Sequence, residues 1–139
     1  MGVWMGCVDA TSYQGITFWV RGSTPLGQTT ITLAMEDTSP PAEDNPAEGG
    51  TCIAASDDDC VGPQATVTVT DTWTQVTLAW SDFTAGVGSS GASVPASGDN
   101  ITGIGFGVNL EWIEDPNNAG TWIPIEGAYE LVIDDVAFY

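Results

Sequence analysis

Basic residues are almost absent from this chain. Its 139 residues include one arginine, Arg21, and no lysine or histidine, against 19 aspartate and glutamate residues, so the formal net charge is −18 at pH 7. Because such a chain cannot neutralise phosphates, nucleic-acid binding is close to excluded, and binding to an anionic membrane fails for the same reason. The sequence predicts a neutral or cationic partner, although we take solubility to be the main reason for the acidity.

The absence of histidine also argues against catalysis. Histidine is the usual general base and a common metal ligand. The sequence has no Ser-His or Cys-His pair, no nucleophile elbow and no phosphate-binding loop. Carboxylates are so numerous that no two of them stand out as the acid pair of a glycosidase. The sequence therefore predicts that the protein is not an enzyme.

Long apolar runs are absent too. No stretch approaches the length of a membrane span, and no basic segment followed by an apolar one marks a signal peptide. We therefore expect a mature protein or a piece of a longer chain. Cys52 and Cys60 bracket a short loop, where we predict a disulfide, and Cys7 is left over. This use of cysteine indicates an extracellular or cell-surface location.

The chain does contain many short runs rich in Thr, Val and Ile, separated by Gly, Pro, Asn, Asp and Ser. This pattern is typical of strands joined by turns and predicts an all-β sandwich or barrel. We expect a single domain over 1–139, with a long surface loop at 36–64 and a second loop at 84–99. The predicted strands lie near 3–8, 15–22, 28–36, 65–70, 73–80, 101–112, 120–126 and 128–138.

One predicted strand carries glycines on a single face. In ITGIGFGVNLEW (101–112), Ile104 and Phe106 point inward, and the opposite face carries three glycines followed by Asn109 and Glu111. Glycine within a strand marks close approach of a ligand or another backbone, or else a tight bend beneath a large neighbouring side chain. The sequence alone leaves both interpretations open.

The last predicted strand contains two adjacent aspartates in YELVIDDVAFY (129–139). Ile133 and Val136 are three residues apart, so they cannot share a face of a regular strand. An extra residue at Asp134 and Asp135 would restore the alternation, as a β-bulge does. We therefore predict a bulge at this pair.

The segments SYQGITFWVRG, GGTC, TVTVTDTWTQVTLAWSDF, NITGIGFGVN and ELVIDDVAFY follow one another in this order. Over roughly residues 10–139, the series resembles a bacterial family of secreted jelly-roll domains with the galactose-binding-like fold. Such domains accompany glycoside hydrolases, and several are carbohydrate-binding modules. The resemblance implies a jelly-roll β-sandwich of two antiparallel sheets with a non-catalytic role, although this fold hosts many functions.

The chain departs from this family at its start. Such domains usually begin with one or two further strands that close the sandwich beside the last strand, whereas this chain starts with MGVWMGC. A missing strand leaves an open edge that invites pairing with another chain. We expect the edge near 129–138 to be covered by upstream sequence or by a neighbouring subunit. Self-assembly is therefore the alternative, with the protein as a structural subunit of an extracellular fibre or surface layer.

The resemblance also implies an interpretation of the two aspartates. In many modules of this fold, an aspartate near the bulge of the last strand joins oxygen ligands of the first strand around a structural Ca²⁺, an ion that prefers hard oxygen ligands. Asp135 is the first candidate and Asp134 the second. Alternatively, these carboxylates accept hydrogen bonds from loop backbone.

Tryptophan gives the main indication of sugar binding, because apolar faces of pyranose rings pack on aromatic rings while amides and carboxylates bind the hydroxyls. Trp80 is in phase with the core residues of its strand, whereas Trp19 and Arg21 alternate with core residues. Trp112 and Trp122 flank the loop IEDPNNAG. Alternatively, a second sheet packs on these rings. The predicted contact surface for a neutral polysaccharide consists of Trp19, Arg21, Asn109, Glu111, Trp112 and Trp122.

Overall fold

The structure is a computed structural model that describes residues 1–43, 49–108, 112–127 and 129–139. These residues form β-strands and three short 3₁₀ turns, at Glu36–Thr38, Trp80–Asp82 and Ser89–Gly91. The strands are β1 Gly2–Val8, β2 Gly15–Ser23, β3 Gln28–Met35, β4 Gln64–Thr68, β5 Thr74–Ala79, β6 Gly86–Val87, β7 Ser93–Val94, β8 Ile101–Gly107, β9 Trp112–Glu114, β10 Trp122–Pro124 and β11 Glu130–Phe138.

Two larger sheets account for most of the described strands. One has the order β1-β8-β3-β4 and the other β11-β2-β5, and all neighbouring strands in them are antiparallel. Two short hairpins, β6-β7 and β9-β10, complete the architecture. The prediction of an all-β fold with antiparallel sheets is confirmed, while the jelly-roll order of the strands stays a prediction.

The two sheets share one core. Alternating apolar residues of β2 and β3 point into it, and Ile16, Phe18, Ile31 and Leu33 are 0 % exposed. Phe18 contacts Phe106 of β8 edge to face, with the ring centroids 5.2 Å apart. Because burying such a side chain contributes about 1.5–3 kcal/mol, this core explains why these residues form strands with one apolar face.

The core is open along one side. β4 and β5 are edge strands of different sheets, and residues 69–73 link them, so these two edges lie together on one side of the core. The other two edge strands, β1 and β11, therefore lie on the opposite side of the core. Val3 of β1 pairs with the buried Ile104 and therefore faces inward, yet it is 44 % exposed. No residue of β11 is buried, although Leu131 and Phe138 pack against the core. Among the described residues, no strand pairs with the outer edge of β11.

The predicted bulge in the last strand is confirmed. Asp134 pairs with Trp19 and Ala137 with Thr17, so two residues of β11 lie opposite one residue of β2. Asp135 has φ +51°, in the left-handed region. This extra residue returns Val136 to the core side, where it packs against the buried cluster.

The predicted strand over 101–112 is confirmed in its first part, because β8 runs from Ile101 to Gly107. Val108 lies outside β8, 109–111 lie outside the described residues, and Trp112 begins β9, which pairs with β10 in a separate hairpin. The long loop predicted at 36–64 is confirmed in its described part, which contains a 3₁₀ turn and no strand before β4.

Candidate binding surfaces

The outer face of the four-stranded sheet carries small or hydroxyl-bearing side chains at Thr30, Thr32 and Ala34 of β3, and glycines at the facing positions of β8. Thr30 and Thr32 alternate with buried core residues of β3, and they pair with Gly107 and Gly105 of β8. We call this surface the trough. Its floor residues are Thr30, Thr32, Ala34, Gln64, Thr66, Gly105 and Gly107.

At two of these floor positions, Gly105 and Gly107, the described neighbours leave room for a side chain. A Cβ atom on Gly105 would lie 3.7 Å from the carbonyl oxygen of Thr32, and one on Gly107 would lie 3.7 Å from that of Thr30, both ordinary contacts. Neither glycine has a positive φ. No large described side chain lies within 4 Å of a Cβ atom at either position, so the described residues give no support to the alternative of a tight bend beneath such a side chain.

Three depressions follow the trough. Two of about 430 Å³ share Thr32 and Ala34, one of them extending to Gly105 and the other to the loop that carries Pro40. A smaller depression of about 60 Å³ lies at the other end, where Thr30 is one of its lining residues. The volume of the larger depressions is in the range of small-molecule binding clefts, about 300–1,000 Å³.

The loop at one end of the trough is tied to the sheet. The N–H of Gly50 donates to the carbonyl oxygen of Pro40 at 3.0 Å, and the N–H of Cys52 donates to that of Ser39 at 3.0 Å. The Ser39 hydroxyl lies 3.2 Å from that of Thr102 on β8. Cys52 and Cys60 form the predicted disulfide, with a Cα–Cα distance of 5.7 Å. The described part of the loop therefore forms a wall of the trough that is hydrogen-bonded in place.

The hairpin β9-β10 presents two tryptophans on one face. Trp112 pairs with Pro124, and Trp122 lies two residues before Pro124, so the two indoles are diagonal neighbours on the same side. They are 54 % and 62 % exposed. Among the described residues, no sheet packs on these two rings, in contrast to the alternative interpretation. Gly127, three residues after β10, lies beside Pro25, which lines the smaller depression.

Hydrogen bonds order the turn of this hairpin. The Asp115 carboxylate accepts the N–H of Asn117 at 2.8 Å, and the Glu114 carboxylate accepts the N–H of Gly120 at 2.7 Å. The N–H of Asp115 donates to the carbonyl oxygen of Thr121 at 2.7 Å. The two tryptophans are thus carried by a turn with a defined shape.

Trp19 and Arg21 lie elsewhere, on the outer face of the three-stranded sheet. Trp19 is 37 % exposed, and the Arg21 guanidinium lies 5.2 Å from the ring centroid of Trp73. The core separates this face from the trough. The other two predicted contact residues, Asn109 and Glu111, lie outside the described residues. The structure thus distributes the predicted contact residues over at least two places.

The two aspartates of the bulge are both exposed. Asp134 Oδ1 accepts the N–H of Asp135 at 2.8 Å, so this carboxylate hydrogen-bonds the backbone of its own strand rather than the loop backbone of the alternative interpretation. Ca²⁺ takes six to eight oxygen ligands, and the described residues contain no group of three or more Asp, Glu, His or Cys side chains suited to a metal. They do not complete a calcium site, and calcium binding stays a prediction.

Sequence reasoning missed the hydroxyls of the trough floor. The signal was present in QTTITLAM (28–35), where Thr30, Thr32 and Ala34 alternate with buried residues. It also missed Gln75, which the strand register places opposite Trp19. No local pattern could have found that pair, because it depends on how two distant strands align.

Comparisons with protein-family models, with curated proteins and with solved structures returned no match to this chain. Within the described part of the chain, no helix has the length and apolar character required to cross a membrane.

Proposed function

We propose that this protein is a non-catalytic carbohydrate-binding module of jelly-roll type, located outside the cell, that binds a neutral polysaccharide in the trough. The observation that carries the proposal is the pair Gly105 and Gly107, which clear side chains from an exposed sheet face although nothing described around them requires glycine. The disulfide Cys52–Cys60 is compatible with secretion.

The chemistry of the trough suits a neutral sugar. Threonine hydroxyls and the amide of Gln64 can donate and accept hydrogen bonds, as sugar hydroxyls do. Backbone exposed at glycine allows a flat ring to approach closely. An acidic polysaccharide would be repelled by a chain of net charge −18. Trp112 and Trp122, exposed on the hairpin, supply aromatic surfaces for the apolar faces of further pyranose rings.

Affinity electrophoresis in gels that contain hydroxyethylcellulose, galactomannan or mixed-linkage β-glucan tests this function. The wild type should be retarded in at least one gel. Gly105→Val should lose most of that retardation, because its side chain fills the floor, while its thermal midpoint stays the same or rises. The matched control is Gly6→Val, at an exposed position of β1 with no described atom within 4 Å of the new Cβ. Equal retardation of the two variants would refute the trough.

The hairpin is tested separately. Trp112→Ala and Trp122→Ala should each weaken binding by roughly 1–3 kcal/mol, as expected for an aromatic hot spot, without loss of thermal stability, since both rings are exposed. Tyr13→Ala, which removes another exposed aromatic ring, is the control. Retardation unchanged in both tryptophan variants would remove the hairpin from the binding surface.

A structural subunit of an extracellular assembly is the second candidate function. The specific observation is the open side of the core, where the inward-facing Val3 is 44 % exposed and no described strand pairs with the outer edge of β11. A strand added there by another chain would satisfy backbone groups and cover apolar surface. In that arrangement Asp134 and Asp135 would lie near the junction, where a cation could neutralise them.

Light scattering with and without a calcium chelator, together with amide exchange of β11 and β2, tests the assembly. Assembly predicts a particle mass that rises with concentration and amides of β11 as protected as those of the central strand β2. A monomer at all concentrations, unchanged by the chelator and with rapid exchange of the β11 amides that point away from β2, would eliminate both the assembly and the junctional cation.

A further inference from the structure

Trp19 lies between two polar side chains on the outer face of the three-stranded sheet. The register puts Asp134 of β11 directly opposite it on one side and Gln75 of β5 directly opposite it on the other. Residues directly opposite in antiparallel strands point to the same face, with Cβ atoms about 4.5–5.5 Å apart. A carboxylate and an amide therefore flank an indole ring that is 37 % exposed.

The next row on this face is made of small side chains. It contains Ala137, Thr17 and Thr77, one from each strand of the sheet. The Thr17 hydroxyl donates to the carbonyl oxygen of Val76 at 2.9 Å and lies 3.4 Å from the hydroxyl of Thr77. The surface beside the indole is thus low and bears hydroxyl groups.

The bulge of β11 gives Asp134 its place in the row. Because Asp135 is the inserted residue, Asp134 stays opposite Trp19 while Ala137 returns to register with Thr17. Asp134 Oδ1 also accepts the N–H of Asp135 at 2.8 Å, which orients the carboxylate. On the other side of the indole, Arg21 is held against the ring of Trp73.

We infer that Asp134, Trp19 and Gln75 form a second carbohydrate-binding site, the Trp19 site, which takes a single neutral pyranose ring. The apolar face of the ring packs on the exposed part of the indole. Sugar hydroxyls donate to the Asp134 carboxylate and exchange hydrogen bonds with the amide of Gln75. The carboxylate and the net charge of −18 disfavour an acidic sugar. This inference rests on the proposed function.

The Trp19 site and the trough lie on opposite sides of the core, because they occupy the outer faces of two different sheets. Packed sheets are about 10 Å apart, and no ligand can pass through the core between them. One molecule therefore binds two separate polysaccharide chains. The protein acts as a cross-linker as well as a binder.

Turbidity and solution viscosity of hydroxyethylcellulose, galactomannan and mixed-linkage β-glucan, measured at increasing protein concentration, test this inference. The wild type should raise both quantities with at least one polysaccharide. Trp19→Ala and Gly105→Val should each reduce the rise at least about tenfold, and each should keep retardation on affinity gels through its remaining site. The double variant should lose retardation. Gln75→Ala, at an exposed position, should also reduce cross-linking, and it replaces Trp19→Ala as the test of this site if Trp19→Ala fails to fold.

The outcomes separate the two sites. If Trp19→Ala and Gln75→Ala both cross-link polysaccharide as well as the wild type does, the Trp19 site is wrong. A dimer that cross-links through its two troughs would give this result. If Gly105→Val alone abolishes retardation, the proposed function stands and the Trp19 site falls. If Trp19→Ala alone abolishes it, the trough falls instead. No retardation in any gel refutes both.

Discussion

Asp135 is the residue at which the last strand departs from regular geometry, and its φ of +51° has a measurable consequence. The left-handed conformation costs about 1–2 kcal/mol for most residues with a Cβ, and a β-branched side chain suits it least. We expect Asp135→Val to lower the free energy of unfolding by about 1–2 kcal/mol, whereas Asp135→Gly leaves it within about 0.5 kcal/mol. Urea denaturation measures both.

A regular strand at this position predicts the opposite order, because valine favours strands and glycine disfavours them. If Asp135→Val proved more stable than Asp135→Gly, the bulge would be wrong. Ala137→Val, on the same strand and beyond the bulge, is the control for the general effect of valine in β11.

Asp59 makes part of the stability depend on pH. Its carboxylate accepts the N–H of Ala55 at 2.8 Å and that of Ser56 at 3.2 Å, which closes the disulfide loop. The backbone hydrogen bond from Ala55 lowers the pKa of Asp59 below its ordinary value of 3.8, against an opposing contribution from desolvation. A lowered folded-state pKa stabilises the protein above the unfolded pKa, and this contribution is lost as the pH falls toward the folded-state pKa.

We therefore expect Asp59→Asn to be less stable than the wild type at neutral pH and to show a smaller fall in thermal midpoint between about pH 5 and pH 2. Asp58→Asn removes the same formal charge from the neighbouring residue and controls for general repulsion. Identical pH profiles for the wild type and Asp59→Asn would contradict the role of the carboxylate in closing the loop.

At the scale of whole elements, the strands could be predicted because their signal is local. Alternation of apolar and polar residues placed β2, β3 and β5, and the phase break at Asp134 and Asp135 located the bulge. The predicted strand at 120–126 contains β10, whereas β9 was not separated from the predicted strand over 101–112, because Trp112 continues the alternation of apolar residues that precedes it. Pairing across the sheet was also beyond sequence reasoning: Trp19 and Asp134 lie 115 positions apart, and only the register brings them together.

The disulfide loop is the element with the clearest contribution to stability. Cys52 and Cys60 are separated by 8 positions, and the loss of chain entropy from closing so short a loop corresponds to about 2–3 kcal/mol. Reduction, or the double change Cys52→Ala with Cys60→Ala, should lower the free energy of unfolding by that amount in urea titrations. Cys7→Ala, which removes the free cysteine, is the control and should leave the wild-type value within about 0.5 kcal/mol. Equal stability of the oxidised and reduced forms would show that the bond does not constrain the unfolded chain.

At the scale of the whole molecule, charge dominates. A net charge of −18 on 139 residues makes the folded chain repel itself. Raising NaCl from about 0.15 M to about 1 M shortens the Debye length from about 8 Å to about 3 Å, so the thermal midpoint should rise. Calorimetry with chelator present in every sample measures this rise without a contribution from bound calcium. KCl should give the same increase, and a midpoint that falls with both salts would show that repulsion does not limit stability.

The two glycine positions of the trough floor also bear on how such a chain can evolve. Glycine in a strand interior lowers stability by about 0.5–1 kcal/mol relative to alanine, and total stabilities are only about 5–15 kcal/mol. Gly105 and Gly107 are free to accept a side chain among the described residues, so selection for stability alone fills them. A lineage that stopped using this face would drift toward threonine or valine at both positions. The residues at these two positions would then show that the trough had lost its binding function, while the rest of the fold stayed intact.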